Sequence, residues 1–274
     1  MTPARQQTTP HDYRVICERQ PAPTVVGGQA VNLWAINYLA HAERKDSLVS
    51  KDLDVVASKE GLADLKQVPG WVFQPRQTRN WMDSRLGALR SVTPDGRPLL
   101  VEILHSVHGL EKSDLDAAAY IKSEGVVYRV LDPVAMLKAK AANVRDIDQV
   151  GPPLRQDRAH LQLVARCVPE FLRDVHRSAV ADRTREKEAL AVVSRAFKTL
   201  QNEKTAQTLR TEGIAPASMI PVEFKESPLP RIRAAFEWQF HLLEKPTRKV
   251  KAPEASPAVA PPAPRPPQGP RMGM

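Results

Sequence analysis

Asp52 and Asp54 stand two residues apart in Ser50-Lys51-Asp52-Leu53-Asp54-Val55. In an extended strand this spacing turns both carboxylates to one face and turns Leu53 and Val55 to the other. Two carboxylates held that close repel each other unless a cation sits between them. Hard divalent ions such as Mg2+ or Mn2+ take oxygen ligands of this kind. An exposed polar strand edge produces the same spacing, so the pair alone leaves both readings open. Glu102 is a third acid, set in Leu99-Leu100-Val101-Glu102-Ile103-Leu104. A carboxylate within an apolar run is costly to bury unless it is paired or bound to metal. The alternative is a glutamate at a strand edge facing water. Leu100 and Leu104 share its face, which favours a functional role.

A fourth feature is the run Val25-Val26-Gly27-Gly28-Gln29-Ala30-Val31-Asn32, with two glycines between a strand pattern and a helix pattern. Glycine lets a backbone come close to a phosphate, and the helix start supplies unpaired N–H groups and a positive dipole end. A tight strand-to-helix turn needs glycine for steric reasons as well.

The elements that must position these residues follow from periodicity. Thr24-Val25-Val26 reads as a strand and residues 29–42 as a helix. Residues 52–57 read as a strand. Residues 85–92 and 99–107 form a hairpin around Thr93-Pro94-Asp95-Gly96-Arg97, and residues 126–131 are a further strand. From Pro133, which suits a first helical turn, the pattern turns helical over 133–147, 155–177, 183–201 and 231–243, with Pro169 placed to kink or split the second. The expected organisation is a flexible arm (1–20), a small mixed-sheet α+β core of α/β character (21–132), a helical domain (133–245) and a disordered, basic, Pro-rich tail (246–274).

Two residues of the helical half stand on otherwise apolar faces. Lys140 shares a face with Met136, Leu137, Val144 and Ile147, with Asn143 at its edge, whereas Lys138 points elsewhere. Asp157 shares a face with Leu161, Val164, Val168 and Phe171, with His160 beside it. An inward Lys and an inward Asp form either a buried structural pair or the border of a nucleotide site. His160 reads as structural. His105 and His108 lack a matching acid pair for a metal site. Arg76, Arg79 and Arg85 near Trp71 and Trp81 read as a solvated loop with partly buried tryptophans.

The 274 residues carry a formal charge of +9, which suits a phosphate-bearing partner such as a nucleotide or RNA and equally suits a basic soluble protein with no such partner. At 42% hydrophobic residues the chain can build a core, and at 5% aromatic residues aliphatic side chains must fill most of it. Cys17 and Cys167 are too far apart in sequence for a thiolate zinc cluster and too few for a disulfide framework, in keeping with a reducing cytoplasm. No stretch approaches the roughly 20 apolar residues of a membrane helix, and residues 1–20 lack a signal-peptide apolar run.

Taken in order, a Gly-Gly turn, a helix, an Asp-x-Asp strand and a later strand acid resemble the DNA polymerase beta superfamily of nucleotidyltransferases. The longer pattern is similar to bacterial AbiEii-type nucleotidyltransferase toxins. It comprises Gly27-Gly28-Gln29-Ala30-Val31-Asn32, Ser50-Lys51-Asp52-Leu53-Asp54 and the Lys-bearing helix after Asp132-Pro133, and it covers about residues 24–172. The resemblance implies transfer of a nucleoside monophosphate from an NTP to a hydroxyl of RNA, protein or a small molecule. It implies metal binding by Asp52, Asp54 and Glu102, and nucleotide contacts by Gly27, Gly28, Ser50, Lys51, Lys140 and Asp157. It also implies an antitoxin as a partner. A catalytically inactive module that binds nucleotide or RNA is the alternative.

Proline bars the tail from helix and ladder hydrogen bonds, and its Ala, Lys and Arg residues cannot pack a core. Deleting residues 246–274 is expected to move the melting temperature by less than about 2 °C, corresponding to well under 1 kcal/mol for a chain of this size. A drop of many degrees in differential scanning calorimetry contradicts this reading.

Overall fold

A computed structural model describes Thr8 and residues 10–40, 52–76, 84–149 and 155–244. Ser50, Lys51, Arg79, Trp81 and the tail 246–274 lie outside the described residues, as does most of the stretch before Pro10.

A short helical turn (Pro10–Tyr13, Arg14–Cys17) leads into strand β1 (Thr24–Val26) and helix α1 (Gly27–Tyr38). β2 (Leu53–Val56), α2 (Lys59–Leu65), β3 (Val72–Pro75), β4 (Arg85–Val92), β5 (Pro98–Leu104), α3 (Lys112–Asp116), β6 (Ala119–Ser123) and β7 (Val126–Val130) follow. The chain continues through helices α4 (Pro133–Asp146), α5 (Asp157–Ala181), α6 (Glu186–Gln201), α7 (Glu203–Thr211) and α8 (Pro230–Glu244). Seven strands form one mixed sheet in the order β3-β4-β5-β2-β1-β7-β6. β2 runs antiparallel to β1 and parallel to β5, and β1 runs parallel to β7. The observed class is mixed α/β, with the sheet in the first half and helices in the second.

Local chemistry accounts for several element ends. Ser58 caps α2 by accepting a hydrogen bond from Gly61 N–H at 3.1 Å. Asp132 caps α4 by accepting from Ala135 N–H at 2.9 Å, with Pro133 in the first turn where no donor is needed. In β2 and β5 burial alternates with period two: Leu53, Val55, Val101 and Ile103 are buried, whereas Asp54, Leu100, Glu102 and Leu104 lie on the half-buried face.

The structure corrects several expected boundaries. α1 begins at Gly27, two residues early, and ends at Tyr38 rather than residue 42. Asp52 sits just ahead of β2 instead of inside it. β5 stops at Leu104, short of residue 107. Pro169 does not split the second long helix, which runs unbroken over Asp157–Ala181, although proline lacks the N–H for its own rung. α2, α3, α7, β3 and β6 were not expected. β3 and β6 are the sheet's edges, and β3 contains Pro75, which an edge strand tolerates.

One hydrophobic cluster runs through both halves and includes Val25, Leu33, Ile103, Met136, Val164 and Phe197. Trp34 packs at the junction of the halves, bonded within the first and touching the second. Its indole N–H donates to the Leu131 carbonyl at 2.8 Å, and its ring meets Phe171 of α5 edge-on at 5.5 Å. Among the described residues no helix is long and apolar enough to cross a membrane.

Leu33 is fully buried in this cluster. Leu33→Ala is expected to cost about 2–5 kcal/mol, the range for a truncated core leucine, measured as a loss of unfolding free energy in a urea titration.

Candidate functional site

The strand registers bring the acids together. Antiparallel pairing sets Val26 opposite Asp54, so the Gly27-Gly28 turn begins one residue beyond Asp54's partner. Parallel pairing sets Asp54 beside Glu102. Adjacent strands lie about 4.8 Å apart, so two carboxylates at paired positions share one patch of sheet face. Asp52 joins them from just ahead of β2. One carboxylate oxygen from each of Asp52, Asp54 and Glu102 falls within 4.8 Å of the others. Among the described residues they form the one group of three or more His, Cys, Asp or Glu side chains with such spacing.

Gly27 is where glycine is unavoidable. Its φ is +67°, the left-handed region that side chains resist, and a Cβ there would lie 1.9 Å from Asp54 Oδ2. The turn backbone therefore lies directly against a carboxylate of the acid group. The N-cap position of α1 is Val26, whose side chain cannot accept from the first-turn amide groups.

Electrostatics mark the group as strained without a cation. Burial and then the charges of Asp52 and Glu102 push the Asp54 carboxyl up to about 7, with Lys140 working in the other direction. Glu102 accepts a 3.1 Å hydrogen bond from Arg85 Nη1, an ion pair that compensates part of the negative charge. That partnership was missed from sequence. β4 and β5 pair at Arg85 across a register irregularity, and the simple alternation of the hairpin gives no sign of it.

Lys140 and Asp157 meet between α4 and α5. Lys140 Nζ donates to Asp157 Oδ1 at 2.8 Å, and both side chains are less than 10% exposed. Asn143 Nδ2 donates to the same oxygen at 3.2 Å, and Arg155 Nε donates to Oδ2 at 2.7 Å. Burial alone would raise the Asp157 carboxyl, but Lys140 and these hydrogen bonds hold it well below the usual carboxylate range. The arrangement is the buried pair, one of the two expected readings, and the Lys140 charge also acts on Asp54.

The remaining candidates do not join the acid group. His160 is buried with no partner for Nδ1 among the described residues. Burial, reinforced by the Lys140 charge, lowers it to about 3, so it stays neutral at physiological pH. His108 pairs with Asp146 at 3.0 Å, and His105 is exposed. Trp71 lies against Tyr13, with ring centroids 6.3 Å apart.

No family model matches the chain, and no curated protein matches it.

Because Asp54 ionises only near pH 7, the metal-free fold carries an electrostatic penalty. The penalty grows as pH rises from the ordinary carboxylate range and is fully expressed above about 7. Asp54→Asn is therefore expected to raise the melting temperature in EDTA at pH 8 by at least about 2–4 °C, the effect of roughly 1 kcal/mol in a chain of this size. At pH 4 the gain should largely vanish. Equal shifts at both pH values in thermal melts would contradict the electrostatic origin.

Proposed function

We propose that this chain is a metal-dependent nucleotidyltransferase. The observation that carries the reading is the convergence of Asp52, Asp54 and Glu102 beside the uncapped Gly27-Gly28 turn. The donor set fits a hard cation: it is all oxygen and anionic, and its most buried member resists ionisation without a countercharge. Asp52, Asp54 and Glu102 would hold Mg2+ or Mn2+, which when bound would supply charge neutralisation for an in-line displacement.

The chain's own groups then have distinct tasks. Amide groups at Gly27 and Gly28 cradle the NTP phosphates. Lys140, held in place by Asp157, faces the triphosphate oxygens. The acceptor hydroxyl oxygen bonds to the α-phosphorus as the bond to pyrophosphate breaks. Its proton passes to the Glu102 carboxylate, and pyrophosphate leaves with the electron pair of the broken bond.

The Arg85–Glu102 ion pair favours a second reading. If Arg85 keeps Glu102 occupied, the site binds nucleotide or RNA without turnover.

Incubating the protein with each labelled NTP, Mg2+ and total RNA or cell lysate tests the proposal. Wild type is expected to label an acceptor, and Asp52→Ala/Asp54→Ala is expected to label none while still melting cooperatively. Unchanged labelling by the double variant sinks the assignment. NTP binding without any labelled product supports the second reading.

A further inference from the structure

We propose a second anion site: the cleft between α4, α6 and α7 binds a phosphate group, carried by a nucleotide or by a nucleic-acid strand. This inference does not depend on the nucleotidyltransferase reading. Along α4, side chains advance about 100° per residue. Lys138, Ala142 and Arg145, which line the cleft, therefore lie roughly 140–200° around the helix from Lys140. The cleft and the acid group thus use opposite faces of one helix.

The cleft holds about 520 Å³, within the range of small-ligand sites. Five cations line it (Lys138, Arg145, Arg195, Lys198 and Lys204) against two acids, Glu111 and Asp114. Both acids already have local bonds. Asp114 accepts from Lys138 at 2.7 Å, and the Glu111 carboxylate accepts a backbone N–H in the first turn of α3. Arg145 pairs with Asp146 outside the lining. The ammonium groups of Lys198 and Lys204 have no ion-pair partner among the described residues.

Arg195, which lines the cleft, carries an unsatisfied donor. Asp132, the cap of α4, is buried and grips its Nη2, fixing the guanidinium. Its Nη1 is buried and has no hydrogen-bond partner among the described residues. A buried charged N–H left unmade is costly, and a phosphate oxygen satisfies it with charge assistance. Ser194, Thr199 and Thr205 line the same cleft, and hydroxyl residues of this kind can donate to phosphate oxygens. A phosphate answers both the unmatched positive charge and the orphaned donor.

Binding is tested in EDTA and in the Asp52→Ala/Asp54→Ala background, so that no metal-held nucleotide at the acid group is measured. The probes are a 5′-phosphorylated RNA decamer followed by anisotropy, and AMP and inorganic phosphate followed by calorimetry. Lys198→Gln/Lys204→Gln, at two exposed positions, is expected to weaken binding of at least one probe tenfold or more with an unchanged melting temperature. For RNA the slope of log affinity against log salt should fall by about 1.4, the loss of two single-strand phosphate contacts. A charge-matched control, Lys59→Gln/Lys225→Gln, should change affinity less than twofold. An effect confined to RNA assigns the site to strand phosphates, and an effect on AMP or phosphate assigns it to free phosphate compounds. The proposal is overturned if no probe binds, or if the two variant pairs weaken binding equally.

Discussion

The parallel register between β2 and β5 imposes like-charge crowding on this molecule. Pairing Asp54 with Glu102, and bringing Asp52 up from just ahead of β2, concentrates three carboxylates in one place. A sheet gains nothing from such an arrangement, since neighbouring like charges oppose folding. Other features moderate the crowding. Arg85 reaches Glu102 from the adjacent strand, Lys140 acts on Asp54 from α4, and Asp54 resists ionisation until about pH 7. The helical half is therefore more than a lid on the sheet. It adds the Lys140 charge, which offsets part of the repulsion on Asp54, and Asp157 holds that charge in place.

Much of this arrangement was legible in the sequence because its signals are periodic. The apolar run over residues 99–104 correctly put Glu102 in a strand, and the Asp-x-Asp step correctly turned Asp54 to the face opposite Leu53 and Val55. Helical spacing correctly turned Lys140 and Asp157 inward. What sequence could not supply was register. Nothing in residues 53–56 or 98–104 says that Asp54 lies beside Glu102 rather than two residues away, because strand pairing is decided by the whole sheet. The Arg85 contact was hidden for the same reason.

The misread elements have simpler causes. α2 and α3 are short and depend on caps and tertiary packing more than on a long apolar stripe. The edge strand β3 mixes exposed and half-buried residues and β6 has one buried residue, Ile121, so their alternation is faint. Pro169 shows the reverse error, a strong local breaker overruled by context. Leu161, Val164, Val168, Phe171 and Leu172 bury one side of α5 on both flanks of the proline, and their packing outweighs one missing rung.

The contact between Gly27 and Asp54 also constrains how the protein can vary. The space a Cβ would occupy at position 27 is already filled by the Asp54 carboxylate. Neither position is free to drift by itself, because any side chain at 27 displaces the acid and a bulkier residue at 54 presses on the turn. The two behave as a single unit of inheritance. In a library randomised at both positions, glycine persists at 27 even where a smaller residue at 54 has vacated the space, because the φ of +67° strains any side chain there.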